Sequence, residues 1–452
     1  MKQPTREFFE FDGFRLVPSE RLLLDRGAAV PLAARAFDLL LALVRRAGHL
    51  ATKDELLAEV WSGLFVEEVN LSVNISLLRK ALGRGAPGKT VIQTVPKAGY
   101  RFIAPVTTRH EPTAVVVART AGAWDAKRAG TRNAEAQRAY VEGRYHWSRR
   151  SEEGLRRAVA CFRRAVANDS DFAAAYSGLA DCYATLGYLS HLSPADSFPA
   201  ARGYAEMALE RDASLAEPYT SLGYVKFYFD WDWAGAEAAF RGALARDPGW
   251  AAAHEWYSIL LLAAGRKADA LREIMVARER EPLSLAINTD LGFHYYYTEQ
   301  YEEAVKQLQS VLAMQADFAP AQLWLGRSYQ ELGEYDAALT AFSAVEMAMP
   351  EWPVAIAARG FVEGVAGRAV KAAATLTQLY ELSFRRFVTQ YGIALVEAGL
   401  GRTDAAFATL ERAFAERSHW LMWLRLDPRW RVMRPDLRFA QLIGRLHYPD
   451  TA

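Results

Sequence analysis

The sequence predicts a mainly α-helical protein, in which a small unit of mixed α+β structure precedes a long superhelix of helical hairpins. Two observations lead to this fold class. Residues 8–106 alternate between short strand patterns and amphipathic helix patterns. Beyond residue 133, alanine recurs at one position at intervals of 43, 35 and then five times 34 residues, which is typical of a repeat protein.

The N-terminal unit begins with short strands, because apolar and polar residues alternate there between turn signals. The strands are expected at 8–11, 14–17, 21–24 and 29–32. A first helix is predicted over 33–46, where apolar residues recur at helical spacing. Thr52 and Glu55 form a capping-box pattern, which predicts a second helix that runs to Trp61.

The segment from Val69 to Arg109 predicts an amphipathic helix followed by a hairpin of two strands. The apolar face of this helix carries Leu71, Ile75, Leu78 and Leu82. Its other face carries side chains that form hydrogen bonds. The strands are expected at 91–95 and 100–104, on either side of the turn Pro96-Lys97-Ala98-Gly99.

Positive charge is concentrated in the same segment. It contains no Asp or Glu, whereas the chain as a whole has a formal net charge of only +1. The cations are Arg79, Lys80, Arg84, Lys89, Lys97, Arg101 and Arg109. Such a concentration predicts that this surface binds a polyanion.

Two motifs in this segment point to a family. They read ISLLRKAL over 75–82 and TVPKAGYRF over 94–102. At these motifs the sequence resembles the winged-helix DNA-binding domain of OmpR/PhoB-type transcription regulators, and the resemblance covers residues 8–106. It implies a winged helix-turn-helix whose recognition helix enters the major groove of double-stranded DNA, while the wing contacts the backbone or the minor groove.

Helical side chains at base edges specify a sequence, and cations on phosphates position the protein. Base contacts are therefore expected from Ser72, Val73, Asn74 and Ser76. Phosphate contacts are expected from Arg79, Lys80, Lys97 and Arg101. Family members often carry more arginine in the middle of this helix, where Ser76 and Leu77 stand here, so the operator cannot be carried over.

Residues 107–132 lack periodicity and predict a linker, and the repeats follow over 133–417. The recurring alanines are Ala158, Ala201, Ala236, Ala270, Ala304, Ala338, Ala372 and Ala406. Their spacing resembles the tetratricopeptide repeat and predicts about eight units. Small residues let the two helices of each unit approach closely. Residues 418–452 are expected to cap the last hydrophobic face.

A tetratricopeptide superhelix has a concave surface on which ligands bind. The register places seven residues there: Tyr224, Phe227, Tyr228, Phe293, Tyr296, Tyr297 and Arg327. An aromatic wall beside a guanidinium could hold an apolar ligand with a carboxylate, or an extended peptide. The alternative is that each ring fills a gap between repeats, which is the commoner role of a single ring.

Other classes of function find little support. The N-terminus lacks an apolar signal core, and no run approaches the roughly 20 apolar residues that span a bilayer. Cys161 and Cys182 predict buried thiols in a reducing compartment. Metal, phosphate-loop and nucleophile motifs are missing from the sequence. We therefore expect a cytoplasmic protein without membrane contact, cofactor, metal or enzymatic activity.

Together the two halves resemble the CadC/HilA-like transcription regulators. The sequence predicts a cytoplasmic DNA-binding regulator, whose winged helix reads the operator and whose array binds a protein, peptide or small-molecule effector. A dimer on DNA would suit the family. The alternative is a protein-interaction scaffold in which the winged helix docks protein rather than DNA, and the acid-free segment disfavours it.

Overall fold

The fold was analysed in a computed structural model, which describes residues 5–18, 22–25, 28–30, 32, 34–60, 68–83, 91–112 and 130–449. Within these residues the predicted fold class is confirmed. A small α+β domain occupies the N-terminal part of the chain, and an array of antiparallel helix pairs occupies the rest.

Five antiparallel strands form the first sheet, in the order β4-β3-β2-β1-β8. They are β1 (Thr5–Phe11), β2 (Phe14–Val17), β3 (Leu22–Asp25), β4 (Ala28–Val30) and β8 (Thr107–Pro112). Asp12 and Gly13 join β1 to β2 with φ angles of 42° and 87°, the left-handed conformation that tight hairpin turns require. Phe9 and Leu16 face each other across this pair and lie in the core.

The predicted linker begins too early. Residues 107–112 form β8, which pairs with β1 from Thr107 opposite Glu10 to Pro112 opposite Thr5. Its sequence, TTRHEP, has no apolar alternation because an edge strand is held by backbone hydrogen bonds and need not fill the core. Residues 113–129 of the predicted linker lie outside the described residues.

The helices of the domain pack between this sheet and a smaller one. They are α1 (Ala34–Arg45), α2 (Lys53–Val60) and α3 (Glu68–Leu82). The smaller sheet has the order β5-β7-β6, with β5 (Leu50–Thr52), β6 (Ile92–Val95) and β7 (Gly99–Phe102). The capping box is confirmed, since the Thr52 amide donates to Glu55 Oε2 (2.8 Å) and the Glu55 amide donates to Thr52 Oγ1 (3.3 Å).

Residues 134–415 form eight helical hairpins. The first four are α4 (Ala134–Ser148) with α5 (Glu152–Asn168), α6 (Ala173–Tyr188) with α7 (Pro194–Arg211), α8 (Glu217–Val225, extended by a π-turn over Lys226–Asp230) with α9 (Trp233–Arg246), and α10 (Ala251–Ala263) with α11 (Lys267–Arg280). The last four are α12 (Leu285–Tyr297) with α13 (Tyr301–Met314), α14 (Ala319–Glu331) with α15 (Tyr335–Ala348), α16 (Pro353–Val365) with α17 (Ala369–Ser383), and α18 (Gln390–Gly399) with α19 (Thr403–Ala415).

Small residues set the distance between the two helices of a hairpin. All eight recurring alanines are fully buried. A Cβ atom on Gly326 of α14 would come within 2.5 Å of the Phe342 ring on α15, and one on Gly143 of α4 would come within 2.7 Å of the Phe162 ring on α5. The aromatic ring therefore lies directly on the glycine backbone.

The C-terminal segment, residues 418–449, has two parts. The helix α20 (Leu437–Gly444) packs against α19, where Arg438 pairs with Asp404 (2.8 Å) and Arg445 pairs with Glu411 (2.8 Å), so it covers the end of the array. The two short 3₁₀ turns before it, His419–Trp423 and Pro428–Trp430, enter the interior of the superhelix instead. The expected capping role therefore describes only part of this segment.

Candidate DNA-binding surface and repeat groove

The helix α3 separates the predicted base-contacting residues into two groups. Leu71, Ile75 and Leu78 are buried in the domain core and fix its orientation. Ser72 and Ser76 are exposed, whereas Val73 is half-buried. The fourth residue, Asn74, is fully buried.

The repeat array buries Asn74. Its side-chain Nδ2 donates to the backbone oxygen of Ala313, at 2.6 Å, in the last turn of α13. In the two neighbouring hairpins, the residues 34 positions before and after Ala313 are Glu279 and Met347, and both are exposed, Met347 to 79%. Ala313 itself is only 5% exposed, because α3 lies over it. In this conformation Asn74 cannot reach a base edge.

The predicted phosphate-contacting cations also have different surroundings. Lys80 and Lys97 are exposed, and Lys97 lies at the wing turn with a φ of 63°. Arg79 is half-buried and joins the helix to the hairpin, because its Nη2 donates to Ile92 O (2.8 Å) and to Thr94 Oγ1 (2.7 Å). Arg101 is half-buried, and its Nε has no hydrogen-bond partner among the described residues.

The seven predicted groove residues are all buried, at 0–3% exposure: Tyr224, Phe227, Tyr228, Phe293, Tyr296, Tyr297 and Arg327. The C-terminal segment contacts four of them, namely Tyr228, Phe293, Tyr297 and Arg327. Trp423 stacks on Tyr297 with a centroid distance of 4.5 Å and meets Phe293 edge-on at 4.7 Å. The chain's own tail thus lies where an extended peptide was expected, and the rings have a packing role in this conformation.

Buried polar contacts hold the C-terminal segment in the groove. Arg429 and Asp427 form an ion pair through Nη2 and Oδ2 (2.6 Å), and the hydroxyl of Tyr391 donates to the same carboxylate (2.8 Å). Burial alone would raise the pKa of Asp427, but Arg429 and Tyr391 lower it below its usual range. Trp430 Nε1 donates to the Tyr391 hydroxyl (2.7 Å).

Arg327 also points into the interior. Its guanidinium lies over Trp324 at 4.4 Å and over Trp420 at 5.0 Å. Its Nε and Nη1 have no hydrogen-bond partner within residues 130–449. Burial lowers the pKa of Arg327 to about 10, since the charged form has lost its hydration.

The tail leaves one part of the interior empty. This cavity of about 60 Å³ is partly open to solvent, and seven aromatic rings line it: Tyr188, Tyr224, Trp256, Phe318, Trp324, Trp352 and Trp420. Glu255 and Asp290 also line it, together with Arg150 and Thr185. Burial and the nearby Asp290 carboxyl raise the pKa of Glu255 well above its usual range, and burial raises the pKa of Asp290 to about 6.

Sequence reasoning placed only Tyr224 in this cavity. A signal was present, since Trp256, Asp290 and Trp324 are successive residues of one 34-residue register. An acidic residue between two tryptophans on the concave side of an array is a candidate ligand-binding group.

One cluster has the residue types of a metal site. Ligand atoms of Glu142, His146 and Cys161 lie within 4.8 Å of one another. However, the guanidinium of Arg164 donates to the Glu142 carboxylate and lies 3.9 Å from Cys161 Sγ. Burial raises the pKa of Cys161 to about 11, so the thiol stays protonated. A cation already at the carboxylate and a protonated thiol both disfavour a metal.

Among the helices of the described residues, none combines the length and the apolar character needed to cross a bilayer.

Comparisons with known proteins agree with this geometry. Residues 27–102 match the family described as "Transcriptional regulatory protein, C terminal", and residues 232–279 and 296–359 match tetratricopeptide repeats. The transcriptional activator CadC of Escherichia coli is 33% identical over 107 residues, which are 24% of this chain and 20% of CadC. The response regulator SaeR of Staphylococcus epidermidis is 33% identical over 97 residues, 21% of this chain and 42% of SaeR.

Solved structures similar to the N-terminal domain include the DNA-binding domain of E. coli CadC, with 29% identity over 24% of this chain and 98% of that chain, at a TM-score of 0.21. Another is the DNA-binding domain of Klebsiella pneumoniae RstA in complex with the RstA box, with 30% identity over 21% of this chain and 96% of that chain, at a TM-score of 0.20. The chain spans less than half the length of the two curated relatives, so the likeness concerns about a quarter of this protein.

Proposed function

We propose that this chain, which joins an OmpR/PhoB-type winged-helix domain to a tetratricopeptide-repeat array, is a cytoplasmic transcription regulator whose array controls DNA binding. The matched family and the acid-free segment Val69–Arg109 support the DNA-binding part. The contact between α3 and α13 carries the regulatory part. The families that match are a DNA-binding regulatory domain and a helical repeat, and we propose no catalytic role.

In the DNA-bound state, Ser72, Val73, Asn74 and Ser76 would face base edges. Arg79, Lys80, Lys97 and Arg101 would lie near phosphates, where each neutralised phosphate releases counterions. Lys80 and Lys97 are exposed and ready for this role. Asn74 would first have to leave Ala313.

The docking contact has a physical basis at the end of α13. This helix ends at Met314, so the carbonyl of Ala313 is among the last four, which have no partner within the helix. The amide of Asn74 supplies that partner.

One amide group cannot serve Ala313 and a base edge at the same time. The docked conformation is therefore the state with low affinity for DNA, and undocking precedes binding. The apparent affinity for DNA is the intrinsic affinity multiplied by the fraction of molecules that are undocked. An effector at the array, whether a protein, a peptide or a small molecule, would act by changing that fraction, and a dimer on DNA would place two such units side by side.

A substitution in the array tests this control without touching the DNA-binding residues. Ala313→Arg puts a bulky charged side chain where α3 packs on a buried alanine, so we expect undocking and a gain in operator affinity of about tenfold. Fluorescence anisotropy on an operator fragment, first located by genome-wide binding of the tagged protein, measures this gain.

Met347→Arg is the matched control, because it adds the same charge at the equivalent position of the next hairpin, where the side chain is exposed. It corrects for any general attraction to DNA. Equal affinities for the two variants and the unmodified chain would show that docking on α13 does not limit DNA binding.

The second candidate function is a scaffold in which the winged helix docks protein rather than DNA. The docking of α3 on α13 is itself a protein contact of this kind. A mobility shift on operator DNA separates the two functions, because a scaffold would leave the DNA band in place.

A further inference from the structure

We propose that the cavity lined by Glu255, Asp290 and seven aromatic rings binds a small organic cation with an ammonium group. This inference rests on the proposed function only where it names the effector of the array. The binding itself is a property of the cavity.

The carboxyl pair lacks a counter-ion. The side chain of Glu255 is only 3% exposed, and the two carboxyls lie close enough for Asp290 to be the main charged neighbour of Glu255. No ion pair within residues 130–449 joins a Lys, Arg or His to either carboxyl at 4.0 Å or less. Buried carboxylates are normally paired with a cation. The raised pKa of Glu255 means that a proton is held between the two carboxyls, and a cation from a ligand can take the place of that proton.

The arginine in the cavity lining is already engaged elsewhere. Arg150 lines the same cavity, but its Nη1 donates to Thr185 Oγ1 (3.0 Å) and its guanidinium stacks on Trp147 at 3.7 Å. It tempers the negative field of the two carboxyls without forming an ion pair with them. A ligand with one positive charge is thus a better fit than one with several.

The aromatic walls of the cavity also suit an ammonium group. Tyr224 and Trp256 stand together with their centroids 4.3 Å apart, and Trp324 lines the same space. Aromatic faces attract ammonium groups, most strongly where water is excluded. The chain uses this attraction itself, since Arg327 lies over Trp324. Thr289 also lines the cavity, and its buried Oγ1 has no hydrogen-bond partner within residues 130–449, so a ligand can use that hydroxyl too.

The size and surroundings favour a small molecule. The cavity offers about 60 Å³ of free space, which suits a small group rather than a long chain. An extended peptide would have to lie along the groove, but the turns His419–Trp423 and Pro428–Trp430 already fill it. Phe318 and Pro320 of the lining follow α13 directly, so a ligand here is near the helix on which α3 docks.

The experiment is calorimetric titration of the full-length protein, without DNA, using butylammonium and benzylammonium as probes. Butanol and benzyl alcohol are their uncharged counterparts of similar shape. We expect each ammonium to bind at least about tenfold more tightly than its alcohol, because the carboxyl pair and the rings attract only the cation. Glu255→Gln and Asp290→Asn should each weaken ammonium binding by about tenfold or more.

Glu302→Gln is the control variant, since this exposed carboxyl on α13 lies outside the lining of the cavity, and its affinity should equal that of the unmodified chain. Thermal unfolding guards against misfolded variants, because saturating ammonium should raise Tm in the unmodified chain and much less in Glu255→Gln.

Three results would overturn the proposal: no ammonium binding at about 10 mM probe, equal binding of alcohol and ammonium, or unchanged affinity in both carboxyl variants. A ligand that binds here but leaves operator affinity unchanged would remove only its role as effector. The Ala313→Arg comparison depends on no ligand, so failure of one proposal can be told from failure of the other.

Discussion

Asn74 is a polar residue on the predicted reading face of α3, yet in this conformation its amide is used inside the protein. Leaving Ala313 would expose both groups to water, which replaces the lost bond, so the net cost is of the order of 1 kcal/mol. A contact of this size can be broken by a modest ligand or by DNA itself. It is suited to a switch rather than to a permanent interface.

At the residue scale, Lys97 at the wing turn is expected to contact a phosphate. Lys97→Ala should weaken binding to all DNA sequences alike and reduce the slope of log affinity against log salt by about 0.9, the value for one phosphate contact. Titrations of operator DNA at several salt concentrations measure the slope. An unchanged slope would place Lys97 away from the phosphates.

Arg79 should behave differently, because its guanidinium also connects α3 to Ile92 and Thr94. Arg79→Ala should lower the stability of the winged-helix domain by about 1–3 kcal/mol as well as its DNA affinity. Denaturant unfolding of the two variants, Lys97→Ala and Arg79→Ala, separates the roles. Equal stability of both would mean that the bonds to the hairpin contribute nothing.

The sequence was sufficient for some of these residues and not for others. The bonds between Thr52 and Glu55 follow from a local pattern three residues apart, and the structure contains both. The burial of Asn74 depends on Ala313, 239 positions away, and no local pattern carries that information. The bonds of Arg79 to the wing could be predicted only in part, because the helix and the hairpin were predicted but their relative positions were not.

At the scale of elements, periodic segments were predicted well and irregular ones were not. The helix predicted over 33–46 is α1, Ala34–Arg45, because four apolar residues recur on one face. The strands β5 and β8 were missed, since one has three residues and the other has no apolar alternation. The entry of the tail into the groove was also missed, because a tryptophan-rich segment looks the same whether it covers an end or fills an interior.

His419 in the C-terminal segment should make the stability of the protein depend on pH. This ring is fully buried against Tyr188 and Tyr228, and burial lowers its pKa to about 3. When the tail is released, the pKa returns to about 6.5. Between pH 3 and pH 6.5, His419 binds a proton when the C-terminal segment is released but not when it is buried in the groove. The contribution of this segment to the free energy of unfolding is therefore complete above pH 6.5 and falls as the pH drops. The loss is about 1.4 kcal/mol per pH unit.

His419→Phe keeps a ring in place but cannot titrate. From pH 7 to pH 5 we expect the unmodified chain to lose about 2 kcal/mol more stability than this variant. The other buried histidines and carboxyls are common to both proteins and cancel in the difference. Denaturant unfolding followed by tryptophan fluorescence measures it. If both proteins lose the same stability, the ring of His419 is not held neutral by burial.

At the scale of the whole molecule, the fold class followed from two periodicities, the spacing of apolar residues in the first helices and the 34-residue spacing of alanine. The eight alanines are fully buried because each lies where two helices approach closely. The contact between the winged-helix domain and the repeat array could not be predicted. Their contact joins α3 to a position on α13 whose counterparts in the neighbouring hairpins face solvent, so it is a property of the assembled chain.

We propose that the repeat array covers the recognition helix α3 until DNA or an effector releases it. Hydrogen exchange of the full-length protein, with and without saturating operator DNA, tests this most directly at the end of α13, over residues 310–316. We expect faster exchange there in the DNA complex, because Asn74 and α3 have left Ala313, and slower exchange in α3 itself. Unchanged exchange at the end of α13 in a saturated complex would contradict it.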